Sequence, residues 1–138
     1  MEGQPVPSRR MVAVIDDDPA VRSSLQFSLE IEGYDVSIFE SSEQLLHDPE
    51  IARFQCFIVD QHLHTLNGLE LVKRLRDLSV LNPVILVTSR PNELLRREAV
   101  RFGAHIVEKP LLGNVLVDAM DSLLGSRLTG STSKAVDP

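Results

Sequence analysis

The chain has a single cysteine, Cys56, in 138 residues. No disulfide can close within it, which argues against a cross-linked secreted scaffold. Cys56 lies inside an apolar run, so it is read as a small buried hydrophobe. Positive charge is also short, with 14 Lys plus Arg against 20 Asp plus Glu and a formal charge of −6. Backbone binding to DNA or RNA needs clustered cations, so no direct nucleic-acid contact is expected. No run approaches the ~20 apolar residues of a membrane span. The first residues lack the basic-then-apolar pattern of an export signal, so the expected location is cytoplasmic, off the membrane. G-x-G-x-x-G and G-x-x-x-x-G-K-[ST] loops are missing, which removes the usual dinucleotide and P-loop sites.

What the chain does have is a set of short apolar runs, each stopping at a polar group. Met11 to Ile15 stops at Asp16-Asp17, Cys56 to Val59 at Asp60, and Pro83 to Val87 at Thr88. Runs of this length without alternation suit strands of a parallel sheet buried on both faces. Between them lie helical patterns. One opens at Asp18-Pro19 and ends before Gly33, with Val21, Leu25 and Leu29 as its buried stripe. Another is capped by Ser41 or Ser42 and runs toward Pro49; a third begins at Gly68. A fourth runs to Phe102, and a last is expected over Leu111 to Leu124. A second strand over Tyr34 to Phe39 and a short fifth near His105 to Val107 complete five β-α repeats. The fold class is therefore α/β, a doubly wound five-stranded sheet with helices on both faces. One domain over 11–125 is expected, with a flexible lead-in over 1–10 and a disordered tail over 126–138.

Such sheets gather functional groups at the carboxyl ends of their strands. Carboxylates held together repel unless a cation lies among them, so Asp16, Asp17 and Asp60 predict a metal site. Hard oxygen donors suit Mg2+. Asp18, next to Pro19, is better explained as a helix cap. Asp60 is the candidate nucleophile, since a carboxylate can attack a phosphoryl group and form an acyl phosphate. Its plainer role is a further metal ligand. A lysine before a proline says little alone, but beside an acidic pocket Lys109 can pair with Asp60 or a phosphoryl oxygen. Thr88 offers a hydroxyl to the same group. His62 and His64 invite a zinc reading, yet no cysteine or further ligand clusters with them in the sequence.

Together these residues resemble the receiver domains of two-component response regulators. The resemblance is carried by VIDDDPAVR (14–22), Asp-x-x-Leu-x-x-Leu-Asn-Gly (60–68), ILVTS (85–89), FGA (102–104) and EKP (108–110). It implies a flavodoxin-like (βα)5 fold with strand order 2-1-3-4-5. It further implies Mg2+ on Asp16, Asp17, Asp60 and the His62 backbone carbonyl, and a phosphoacceptor role for Asp60. Thr88 and Lys109 would be the switch hydroxyl and the lysine of the phosphorylation chemistry. His62 and Arg90 fall where the family modulates hydrolysis. The phosphoryl group would come from a histidine kinase or phosphotransfer protein. Chemistry would be limited to self-phosphorylation and self-dephosphorylation, so no enzyme is expected.

Output would pass through the face made by the fourth helix, fifth strand and fifth helix. Arg96, Arg97 and Arg101 on one helix and Asp118 and Asp121 on the next would suit a homodimer. Only 14 residues follow Leu124, so the reader is either a downstream protein or an output domain not present here. Three departures stand out. His64 replaces a usual proline, Ile106 replaces the usual switch aromatic, and the stretch from Gly103 to Lys109 is one residue short. They give some weight to a phosphorylation-independent interaction module. A Mg2+-dependent phosphohydrolase is the enzymatic rival, but it wants an acid two residues after Asp60, where His62 stands.

Overall fold

A computed structural model describes residues 10–125. The expected lead-in and tail, Arg10 apart, lie outside the described residues. Five strands, β1 (Met11–Ile15), β2 (Asp35–Phe39), β3 (Cys56–Asp60), β4 (Val84–Thr88) and β5 (Ala104–Glu108), form one sheet. Every pairing is parallel and the order is β2-β1-β3-β4-β5. Five helices fill the crossovers: α1 (Pro19–Ile31), α2 (Ser42–Leu46), α3 (Gly68–Asp77), α4 (Glu93–Arg101) and α5 (Val115–Leu124).

Side chains alternate across a strand, so each strand feeds two cores. Ala13, Ile15, Phe57, Val59, Val84 and Leu86 face α2, α3 and α4, meeting Leu45, Leu71, Leu75 and Ala99. Val12, Val14, Ile58, Ile85 and Val87 face α1 and α5, meeting Leu29, Leu116 and Met120. This is why the central runs show no alternation: both faces are covered. Cys56 is buried in the second core, and burial pushes its thiol up to about 12. Among the described residues no helix is long and apolar enough to cross a membrane.

Two boundaries differ from the sequence reading. The last helix begins at Val115, four residues after Leu111. Pro110 to Asn114 instead form a turn, closed by the Leu112 amide donating to the Pro110 carbonyl at 3.0 Å, with Gly113 at φ +58. The second helix stops at Leu46, and a separate 3-10 turn over Ile51–Arg53 precedes β3. The short stretch before Lys109 takes nothing from the sheet. β5 pairs with β4 over its whole length, from Val84↔Ala104 to Thr88↔Glu108.

Candidate functional site

The sheet delivers three carboxylates to its carboxyl rim because β1 and β3 are adjacent and in register, Ile15 opposite Val59. One oxygen each from Asp16, Asp17 and Asp60 lies within 4.8 Å of the others. Each group is set by local chain geometry. The Asp16 amide donates to the Phe39 carbonyl (3.1 Å), and the Asp18 amide donates to Asp16 Oδ1 (2.9 Å). Asp18 in turn caps α1, its Oδ1 accepting from the Ala20 amide, as expected of a residue before a first-turn proline. Asp60 ends β3, and its Oδ1 accepts from the His62 amide at 3.3 Å.

Gly68 makes that geometry possible. It starts α3 against the end of β3, and a Cβ there would meet the Asp60 carbonyl oxygen and Gln61 Cα at 2.9 Å each. The Asn67–Glu70 capping box fixes the same turn.

Opposite stands Lys109. Lys109 Nζ is 3.2 Å from Asp60 Oδ1, and its amide donates to the Thr88 carbonyl at 2.8 Å. One ammonium against three carboxylates leaves the cluster net negative. Asp16 and Asp60 are buried, and burial, aided by the nearby Asp60 and Asp17 charges, raises the Asp16 carboxyl above its ordinary value. The donors are all oxygens. This set fits a divalent ion such as Mg2+, which would relieve the repulsion that the fold otherwise retains. The zinc reading fails on position: His62 Nε2 turns toward Thr88 Oγ1 (3.5 Å) while His64 Nε2 turns to Asp17 Oδ2 (2.9 Å). Among the described residues the candidate metal group contains no histidine.

With these groups in place, the comparison with known families is decisive: the sequence model of the response regulator receiver domain matches residues 12–121. The chain belongs to this family. The transcriptional regulatory protein FixJ of Bradyrhizobium diazoefficiens is 31% identical over 126 residues, covering 91% of this chain and 62% of the relative. The chain thus spans less than two thirds of the length of that regulator. The crystal structure of FixJ-N aligns at 29% identity with a TM-score of 0.73, over 83% of this chain and 93% of that one. The Vibrio cholerae chemotaxis protein CheY4, at 24% identity, shares the fold with a TM-score of 0.78 over 84% and 99% of the two chains.

The other residues singled out in the sequence of this receiver domain fall in different places. Thr88 is buried at the end of β4, facing His62. Ile106 is half-buried on β5 against the α3–α4 core. Arg90 is exposed after β4, and among the described residues no hydrogen bond or ion pair ties it to the cluster. Sequence reasoning missed Arg22, whose Nη1 donates to the Asp16 carbonyl at 2.8 Å. It also missed the cis bond between Lys109 and Pro110. An arginine one turn into α1 gives no local signal of that contact, which depends on how the strand-to-helix turn closes.

Proposed function

We propose that this receiver domain, over residues 11–125, is a phosphorylation-activated switch whose acceptor is Asp60. The observation that carries this reading is the convergence of Asp60 with two further carboxylates and with Lys109 at 3.2 Å. Asp16, Asp17, Asp60 and the His62 carbonyl would hold Mg2+, which when bound offsets charge between the carboxylate and a phosphoryl oxygen. An Asp60 oxygen attacks phosphorus, its new O–P bond replacing the donor's P–N bond, and the donor imidazole leaves with a proton. Lys109 pairs with the phosphoryl oxygens in place of the free carboxylate, and the Thr88 hydroxyl donates to another. Both movements pull on the ends of β4 and β5, shifting the α4–β5–α5 surface between two packings.

The phosphodonor would be a histidine kinase or phosphotransfer protein acting in the cytoplasm. A groove of about 750 Å³ between α1 and the segment after β5, lined by Val21, Leu25, Lys109 and Pro110, gives such a donor an apolar rest beside the site. The reader would be a downstream protein or an output domain, as the name of the FixJ relative suggests. A homodimer through α4 and α5 has less support. Arg96 and Arg101 lie within 3.9 Å of Glu108 and 3.7 Å of Glu98 in the same chain, and Tyr34 reaches Asp121. The interaction-module reading rests on Ile106, which offers no ring to rotate between core and solvent, on His64 and on the shortened 103–109 segment.

The test is incubation with a small phosphodonor and Mg2+, read by intact mass. One phosphoryl adduct, absent in Asp60→Ala, is expected. No adduct favours the interaction module, and rapid turnover favours a hydrolase. In the same assay His62→Ala should shorten the life of the adduct several-fold, because His62 screens the Thr88 side of the site; Arg90→Ala should do little. Equal lifetimes in all three proteins would remove His62 from this role.

A further inference from the structure

Each carboxylate of the cluster has its own anchor. Asp16 takes the Asp18 amide, and Asp60 takes Lys109 and the His62 amide. Asp17 is the most exposed of the three, and its partner is the imidazole of His64, Nε2 to Oδ2 at 2.9 Å. A ring nitrogen at that distance from a carboxylate oxygen is a hydrogen bond with Nε2–H donating. His64 is not a member of the group whose ligand atoms all lie within 4.8 Å of one another. The imidazole therefore does not join the oxygen cluster; it holds one member of it through Oδ2.

We propose that His64 is a positioning residue for divalent-cation binding, fixing the Asp17 carboxylate toward Asp16 and Asp60. This rests on the metal site argued above. An aspartate partly open to water has two free torsions, and each must be stilled when the ion binds. A donor already seated on Oδ2 reduces that loss. Partners of this kind behind a metal ligand typically contribute 10–100-fold in affinity. His64 itself is largely exposed on the loop between β3 and α3, so its replacement leaves the cores untouched.

The experiment is calorimetric titration of Mg2+ into the full chain at neutral pH, comparing wild type, His64→Ala, His64→Gln and Asp16→Ala. His64→Ala is expected to bind Mg2+ about 10-fold more weakly, with an unchanged melting temperature in the metal-free state. His64→Gln, whose amide N–H can occupy the Nε2 position, should recover affinity to within about twofold of wild type; this is rescue by a donor without a ring or a charge. Nitrogen shifts of the metal-free protein should show the His64 proton on Nε2. Equal affinity in His64→Ala and wild type overturns the proposal and leaves the metal site standing. So does His64→Gln binding as weakly as His64→Ala. A wild type that binds no Mg2+, or an Asp16→Ala that binds it as well, overturns the site and this proposal together.

Discussion

The two halves of the rim are tied down very differently. On the β1–β3 side every turn is closed more than once. The Asp16 backbone is held by Phe39 and Arg22, α1 is capped by Asp18, and α3 starts from a complete capping box. Gln61 bridges the same corner, its carbonyl accepting from the Gly68 amide and its side chain from the Leu69 amide. On the β4–β5 side, α4 is capped by Asn92 but α5 starts without a side-chain cap, and Leu112, Val115, Leu94 and Val100 are exposed. Thr88 and Lys109 hang from this looser half, joined by one backbone bond. The difference suits a switch. On the proposed reading, the groups that would hold an ion and act as nucleophile sit where the chain is over-determined, and the groups that would move sit where opening a local contact costs least.

The largest effect on this contrast should come from Gly68, the point where the firm half is packed most closely. Gly68→Ala would place a methyl 2.6 Å from Leu86 Cδ2 and 2.9 Å from the Asp60 carbonyl oxygen. Backbone cannot yield as a side-chain end can, so the loss should be about 2 kcal/mol. Urea denaturation measures it. The variant should also accept phosphoryl more slowly, because the strain falls on Asp60, the proposed acceptor. A stability within error of wild type would mean the corner is slack, and the contrast between the halves would fail.

The sequence carried most of the frame because the signals were local. Asp16-Asp17, Asp60 and Thr88 each end an apolar run, Lys109 directly follows the fifth strand, and parallel strands put such ends on one rim. The start of α5 was hidden because Leu111 and Leu112 continue the apolar pattern, while the turn that excludes them from the helix needs Gly113 at positive φ. Arg76 shows a different limit. Its guanidinium donates to the carbonyls of Val80, Asn82, Phe102 and Gly103, stitching α3 to the ends of two later loops. Nothing near position 76 announces those partners. The full-length pairing of β5 was equally hidden, since a shortened segment can be absorbed in the turn at Gly103 as readily as in the strand.

A middle-sized effect should come from Asp16, and it has a sign that separates charge from packing. Burial raises its carboxyl above 3.8 in the folded, metal-free protein. The folded state then holds the proton more tightly than the unfolded one, so stability is present below the ordinary carboxyl value. It is lost as pH rises through the window up to the raised value. At neutral pH the ionised group costs the fold. Asp16→Asn keeps an oxygen for the Asp18 amide and removes the charge, so it should stabilise the metal-free protein. Its advantage over wild type should shrink on acidification. Added Mg2+ should raise the melting temperature of wild type and not of the variant. A variant less stable than wild type without metal would show that Asp16 is held for its hydrogen bonds and that repulsion in the cluster is small.

The smallest effect should lie at the other extreme, on α4. Leu94 is 63% exposed and lies just after the first residue of a helix whose buried contact is Ala99. Truncating it removes little burial, and alanine is the better helix former, so Leu94→Ala should change stability by less than ~0.5 kcal/mol. Equilibrium denaturation should give the same slope as wild type, since no more surface is opened. A loss several times larger would mean that α4 packs this side chain in solution, and the looser half would then be as firmly built as the carboxylate half. A near-zero change combined with lost output after phosphorylation would sharpen the contrast instead. The apolar surface left open on α4 would then contribute nothing to holding the fold and would serve the partner that reads it.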